Sequence, residues 1–122
     1  MTLSGKRVLL VEDEPIIAMF VEDILVDLGY VVVGPALSAA AAEKLARNEL
    51  FDAALLDINL GDGPSFPIAT ILRERSIPFS FATGYGSTGV PADLGQVSVL
   101  AKPYTRESLA ETLDTLFGGA GP

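Results

Sequence analysis

Asp57 closes the apolar run Ala53-Ala54-Leu55-Leu56, and Asn59, Gly61, Asp62 and Gly63 follow within the next six residues. Two other apolar runs end on charge in the same way. Val8-Leu9-Leu10-Val11 runs into Glu12-Asp13, and Val97-Ser98-Val99-Leu100-Ala101 runs into Lys102-Pro103. Three carboxylates gathered in one crevice repel one another, so they take up protons or hold a cation. The chain has no His and no Cys; all-oxygen ligation by hard donors then favours Mg2+, which keeps several waters and is completed by a phosphate oxygen. With Lys102 as a fixed positive charge and Thr83 as a hydroxyl at neighbouring strand ends, such a site suits phosphoryl transfer. Asp57 is the natural nucleophile, and the product is an aspartyl phosphate.

The elements that must carry these residues follow from alternating short apolar runs and helical periods. Residues 6–11 read as a first strand. Pro15 opens a helix in which Ile16, Phe20, Ile24, Leu25 and Leu28 recur at helical spacing until Gly29. Tyr30 to Val33 read as the second strand, and residues 38–49 as the second helix, with Leu45 and Leu50 on its apolar side. Residues 52–57 form the third strand, and 65–75 the third helix with Phe66, Ile68, Ala69, Ile71 and Leu72. Residues 78–82 and 97–101 give the fourth and fifth strands, and 105–117 the last helix with Leu109, Leu113, Leu116 and Phe117. Between Thr83 and Lys102 stand Gly84, Gly86, Gly89, Pro91 and Gly95, each unfavourable inside a helix. A fourth helix is therefore expected to be short or absent, and the segment mobile.

Near-continuous apolar strands alternating with helices imply an α/β fold with a parallel sheet covered on both faces; by analogy with flavodoxin-like folds, a (βα)5 arrangement with five strands in the order 2-1-3-4-5 is expected. Ligands bind such sheets beyond the carboxyl ends of the strands, where the strand order reverses. That point lies between the first and third strands, the ones ending in Glu12-Asp13 and Asp57.

Composition removes other function classes. A chain of 122 residues that is 49% hydrophobic suits one domain, expected over residues 1–117 with a disordered tail at 118–122. The net charge of −8 argues against nucleic-acid binding, which needs a basic surface. Without His or Cys there is no His-based or thiol nucleophile and almost no route to a zinc site. No stretch reaches the roughly 20 apolar residues of a membrane span, and the four apolar residues after Arg7 are too few for a signal peptide. A soluble, cytoplasmic protein is expected.

The ordered anchors Glu12-Asp13, Asp57, Thr83 and Lys102-Pro103, with steps of 44, 26 and 19 residues from Asp13 onward, resemble the receiver domains of two-component response regulators. The match runs from Val8 to Phe117. Pro78-Phe79-Ser80-Phe81-Ala82-Thr83-Gly84-Tyr85 is similar to the signature of the FATGUY subgroup, which includes many single-domain receivers. The resemblance implies a phosphoacceptor signalling protein, not an enzyme, in which Asp57 takes phosphate from the phosphohistidine of a histidine kinase. It implies that Asp13, Asp57 and the Asn59 carbonyl bind Mg2+, that Glu12 holds the ion through water, and that Thr83, Gly84 and Lys102 surround the phosphoryl oxygens. It also implies a cis peptide bond before Pro103.

Two positions bear on how such a signal is stored and read. Asn59 stands where haloacid-dehalogenase phosphatases carry an Asp that moves a proton, which favours a persistent aspartyl phosphate. Val99 stands where many receivers carry an inward-turning aromatic. The expected readout is therefore that Thr83 orders the segment 84–95, with Tyr85 and Tyr104 as packing partners; Pro103, whose cis bond would aim the Lys102 ammonium, is grouped with them as a conformational position. With one domain expected, output is through protein contacts, as a phosphate sink, or as a relay to a His-containing phosphotransfer protein; a homodimer is left open. The alternative is a docking module that works without phosphorylation.

Two local motifs lead elsewhere and fail. Gly84-Tyr85-Gly86-Ser87-Thr88-Gly89 fits the dinucleotide fingerprint G-x-G-x-x-G, but Pro91 and Gly95 deny it the helix that must face the pyrophosphate. The segment from Asp57 begins like a calcium loop, but Gly61, Asp62 and Ile68 occupy positions that need a ligand, a Gly and a Glu.

Overall fold

The computed structural model describes residues 5–61, 63–83, 98–101 and 104–118, with the backbone alone at positions 59, 83, 98 and 101. The elements are β1 (Arg7–Val11), α1 (Pro15–Asp27), β2 (Val31–Ala36), α2 (Ala39–Asn48), β3 (Ala53–Asp57), β4 (Asn59–Leu60), β5 (Gly63–Pro64), α3 (Phe66–Glu74), β6 (Phe79–Thr83), β7 (Ser98–Ala101) and α4 (Arg106–Leu116). Five strands form one parallel sheet in the order β2-β1-β3-β6-β7, which is the expected 2-1-3-4-5. The segment 84–97, which holds the expected gap in the helix pattern together with Gly84 and Tyr85, lies outside the described residues. So do Lys102, Pro103 and the tail beyond Gly118.

The sheet divides the core in two because successive strand side chains face opposite ways. Leu9, Val11, Ala54, Leu56, Phe79 and Phe81 pack against Ala42 and Ala46 of α2 and Ile68, Ala69, Ile71 and Leu72 of α3. Val8, Leu10, Leu55 and Leu100 pack on the other side against Val21 and Leu25 of α1 and Leu109 and Leu113 of α4. Burial on both faces is why β1 and β3 read as unbroken apolar runs.

Local chemistry fixes the helix ends. Pro15 sits in the first turn of α1, where no donor is needed. Ser38 caps α2 by accepting from the Ala41 amide at 3.1 Å. Thr105 and Ser108 form a reciprocal capping box at α4, each contact at 3.0 Å. The Arg75 guanidinium donates to the Ala46 carbonyl and lies 5.3 Å from the Phe51 ring centroid, tying the end of α3 to α2.

Three features depart from the sequence reading. Ile16 and Phe20 do not join the core: they are 83% and 50% exposed, and α1 buries Ala18 and Val21 together with the expected Leu25, while Ile24 and Leu28 pack partly buried beside them. Leu50 is likewise exposed, while Ala42 and Ala46 make the close approach of α2. The second strand continues past Gly34-Pro35, whose peptide bond is cis, to Ala36. There the register against β1 shifts between Leu9 and Val11, and the Glu12 amide donates to the Ala36 carbonyl at 3.0 Å.

Gly34 has φ +98°, and a Cβ there would lie 2.7 Å from the Ala36 nitrogen and 3.1 Å from the Leu10 carbonyl oxygen. Both neighbours are backbone that cannot swing away. Gly34→Ala is therefore expected to destabilise the fold by roughly 3 kcal/mol, the upper end for strained non-glycine backbone, read as a lower urea midpoint with an unchanged slope.

Candidate functional site

The site is assembled where the sheet reverses direction. From β1 the chain leaves to β2 on one side, and from β3 it leaves to β6 on the other. Parallel pairing sets Val11 opposite Leu56, so the next residues, Glu12 and Asp57, emerge side by side. Glu12, Asp13 and Asp57 each present a carboxylate oxygen, and these oxygens lie within 4.8 Å of one another. Glu12 is 1% exposed and Asp57 8%, although acids are rarely buried without compensation.

Neighbouring backbone holds this cluster in shape. The Ile58 amide donates to the Ala82 carbonyl at 3.2 Å. The Ile58 carbonyl accepts from both the amide and the hydroxyl of the fully buried Ser65, at 2.9 and 3.2 Å. The peptide just after Asp57 is thus clamped between β6 and the start of α3. The two-residue strands β4 and β5 pair antiparallel, Asn59 with Pro64 and Leu60 with Gly63, and fold the following loop back. A Cβ at Gly61 would lie 3.5 Å from Asp13 Oδ2, so this loop runs directly beside Asp13.

The Glu12 carboxylate receives a hydrogen bond on each oxygen. The Glu14 amide donates to Oε2 at 3.3 Å, and the Tyr104 hydroxyl donates to Oε1 at 3.4 Å. Burial, then the charges of Glu12 and Asp57, then the hydrogen bond to Glu12 raise the Tyr104 pKa well above the ordinary phenol range. Tyr104 therefore remains a protonated donor.

The structure brings together Glu12, Asp13 and Asp57; Asn59 follows Asp57 by two residues at the start of β4. Thr83 ends β6, paired with Ala101 of β7; its side chain, with Gly84, Tyr85, Lys102 and Pro103, lies outside what is described. Val99 is half-buried and pairs across the sheet with Phe81. The contact between Tyr104 and Glu12, and the clamp made by Ser65, have no signature in the sequence. The Tyr104 contact spans 92 residues, and Ser65 has the local setting of an ordinary helix-start Ser. Three gathered carboxylates form a hard, anionic donor set that fits a small divalent cation. Among the described residues no helix is long and apolar enough to cross a membrane.

Similarity to known proteins agrees with this geometry. Over 102 residues the chain is 33% identical to the phyllosphere-induced regulator PhyR of Methylorubrum extorquens, covering 80% of this chain and 38% of that protein. A 30% identical match covers only 13% of the sensor protein TorS of Escherichia coli, so the chain spans well under half of these relatives. Among solved structures, SdrG of Sphingomonas melonis Fr1 is 40% identical with a TM-score of 0.80, covering 96% of this chain and 99% of that one. The receiver domain of the sensor histidine kinase PA1611 of Pseudomonas aeruginosa PAO1 is 26% identical with a TM-score of 0.81, covering 94% and 99%. That structure is described with a magnesium ion coordinated in the active site cleft. The model of the response regulator receiver domain matches residues 8–114, and with the acids at the strand ends this makes the chain a member of the response regulator receiver family, whose domains are phosphoacceptor signalling modules and not catalytic enzymes.

Proposed function

We propose that Asp57 accepts a phosphoryl group from the phosphohistidine of a histidine kinase, with Mg2+ held by Glu12, Asp13, Asp57 and the Asn59 carbonyl. The observation that carries this reading is the gathering of three acids, two of them buried, within 4.8 Å at the reversal of strand order. A carboxylate oxygen of Asp57 forms the new bond to phosphorus while the bond from phosphorus to the imidazole nitrogen breaks, and the imidazole leaves with that electron pair. The cation, when bound, neutralises charge on the phosphoryl oxygens. Burial keeps competing water from Asp57. Thr83, Gly84 and Lys102 complete the phosphoryl surroundings, and Asn59 offers no acid or base to hasten hydrolysis. The setting is cytoplasmic, and the segment from Pro78 to Tyr85 supports membership of the FATGUY subgroup.

Ile16, Met19 and Phe20 form an exposed apolar face in the first turns of α1, immediately after the acids. Three large apolar side chains kept in water beside a reactive group mark a contact surface. This face supports docking of the phosphodonor, with a kinase or a His-containing phosphotransfer protein as partner. The same face also supports the alternative reading, a receiver that docks without being phosphorylated.

Incubation with a small phosphodonor separates the two. The intact protein is expected to gain the mass of one phosphoryl group with Mg2+ present and none after chelation. A chain that gains nothing in Mg2+ overturns the phosphoacceptor reading and leaves the docking module.

A further inference from the structure

Tyr104 connects two parts of the molecule that sequence keeps apart. Its ring packs with the core shared by α1 and α4, while its hydroxyl reaches Glu12, which is 1% exposed at the acidic cluster. The next residue, Thr105, is the N-cap of α4 and is locked by the capping box with Ser108. One phenol thus spans from the buried acid to the first turn of the last helix.

The contact geometry indicates how this phenol acts. At 3.4 Å the contact is longer than the ordinary range for O–H···O bonds, about 2.5–3.0 Å. A donor at that distance gives up little when the carboxylate shifts, yet it still restricts the carboxylate's rotation.

We infer that Tyr104 is a positioning residue whose hydroxyl orients the Glu12 carboxylate toward a bound divalent cation and couples cation binding to the first turn of α4. This rests on the cation reading proposed above. Coupling between two sites is reciprocal: if Tyr104 orders Glu12 for the cation, the cation must in turn stabilise the segment that follows Tyr104.

Titration of the whole chain with MgCl2 by calorimetry, paired with hydrogen exchange over residues 105–109, tests this. Tyr104→Phe keeps the ring and removes the hydroxyl. It is expected to bind Mg2+ about three- to tenfold more weakly, the loss of one modest hydrogen bond to a charged group. Phosphoryl gain at saturating Mg2+ should stay within about twofold of wild type, because the hydroxyl acts through Glu12 and not on the transfer. Mg2+ should slow exchange at 105–109 in wild type and not in Tyr104→Phe.

Another variant isolates the route. In a Glu12→Gln background, adding Tyr104→Phe should cost little further affinity, since two residues acting through one contact are not additive. Wild-type Mg2+ affinity in Tyr104→Phe, or fully additive losses in the double variant, overturns the positioning role alone. A wild type that binds no Mg2+ overturns the cation reading together with it.

Discussion

Asp57→Asn is expected to take up no phosphoryl group from a small phosphodonor in Mg2+ while keeping the fold. The side chain is close to isosteric and sits at the end of β3, where the backbone pairings Leu56 with Phe81 and Asp57 with Ala82 hold the strand independently of charge. An amide, however, is too weak a nucleophile to displace imidazole. Glu12 and Asp13 do not substitute for it. Glu12 is buried and engaged by Tyr104 and the Glu14 amide, and Asp13 lies beside Gly61 on the loop side of the cluster.

The same variant should respond less to Mg2+. Carboxylates within 4.8 Å of one another repel by about 1–3 kcal/mol per pair at effective dielectric constants between those of water and a protein surface. A divalent cation relieves that repulsion, and binding to the folded state alone stabilises it by about 2.7 kcal/mol at a hundredfold excess over Kd. Removing one of three charges removes a ligand and part of the repulsion together. Thermal unfolding with and without Mg2+ should therefore show a clearly smaller rise in Tm for Asp57→Asn than for wild type. An equal rise in both would place the cation away from Asp57.

The acids were legible because each ends a strand whose apolar run is unbroken. Val8 to Val11 and Ala53 to Leu56 are buried on both faces, so the sequence changes abruptly at Glu12 and Asp57. The same alternation calls for a parallel sheet between helices but does not choose its strand order, which came by analogy with flavodoxin-like folds. The end of β2 was not legible, because Gly34-Pro35 has the local chemistry of a turn. Pairing with β1 overrides that preference: the register shift absorbs the glycine, and Ala36 accepts from Glu12. The strands β4 and β5 have two residues each, too few for any period to register.

The helical faces were legible in part. In α1 the expected Leu25 is buried and Ile24 and Leu28 pack beside it, but at the start of the helix Ala18 and Val21 take the core position and Ile16 and Phe20 do not. Local sequence favours the larger residues as core, so this puts large apolar groups in water beside the acids, and only the tertiary structure exposes it. Position alone singles out Glu12, yet the Tyr104 hydroxyl that contacts it comes from 92 residues away in the sequence.

Phe81→Ala is expected to give the largest loss of stability, about 3–5 kcal/mol. The side chain is fully buried in β6 and meets Phe66 and Phe79 edge to face, with centroids at 5.6 and 5.5 Å. Its neighbours cannot collapse into the space. Leu56 and Val99 are fixed opposite it by strand pairing, and Phe66 is fixed at the start of α3, directly after the Ser65 clamp on Ile58. The cavity therefore stays open, and its cost adds to the lost transfer free energy. Domains of this size commonly have only about 5–15 kcal/mol in total, so the variant should unfold at a much lower urea concentration.

The site should feel this loss beyond global stability. Phe81 lies one residue before Ala82, whose carbonyl holds the Ile58 amide, and two before Thr83. Loosening β6 relaxes the peptide that follows Asp57. Under conditions where Phe81→Ala remains folded, its Mg2+ affinity should fall as well, whereas Phe51→Ala, cut from the core just before β3 at the end of the sheet away from Asp57, should destabilise while leaving Mg2+ affinity near wild type. Equal losses of affinity in the two variants would show that the site senses stability alone and not the packing of β6 against α3.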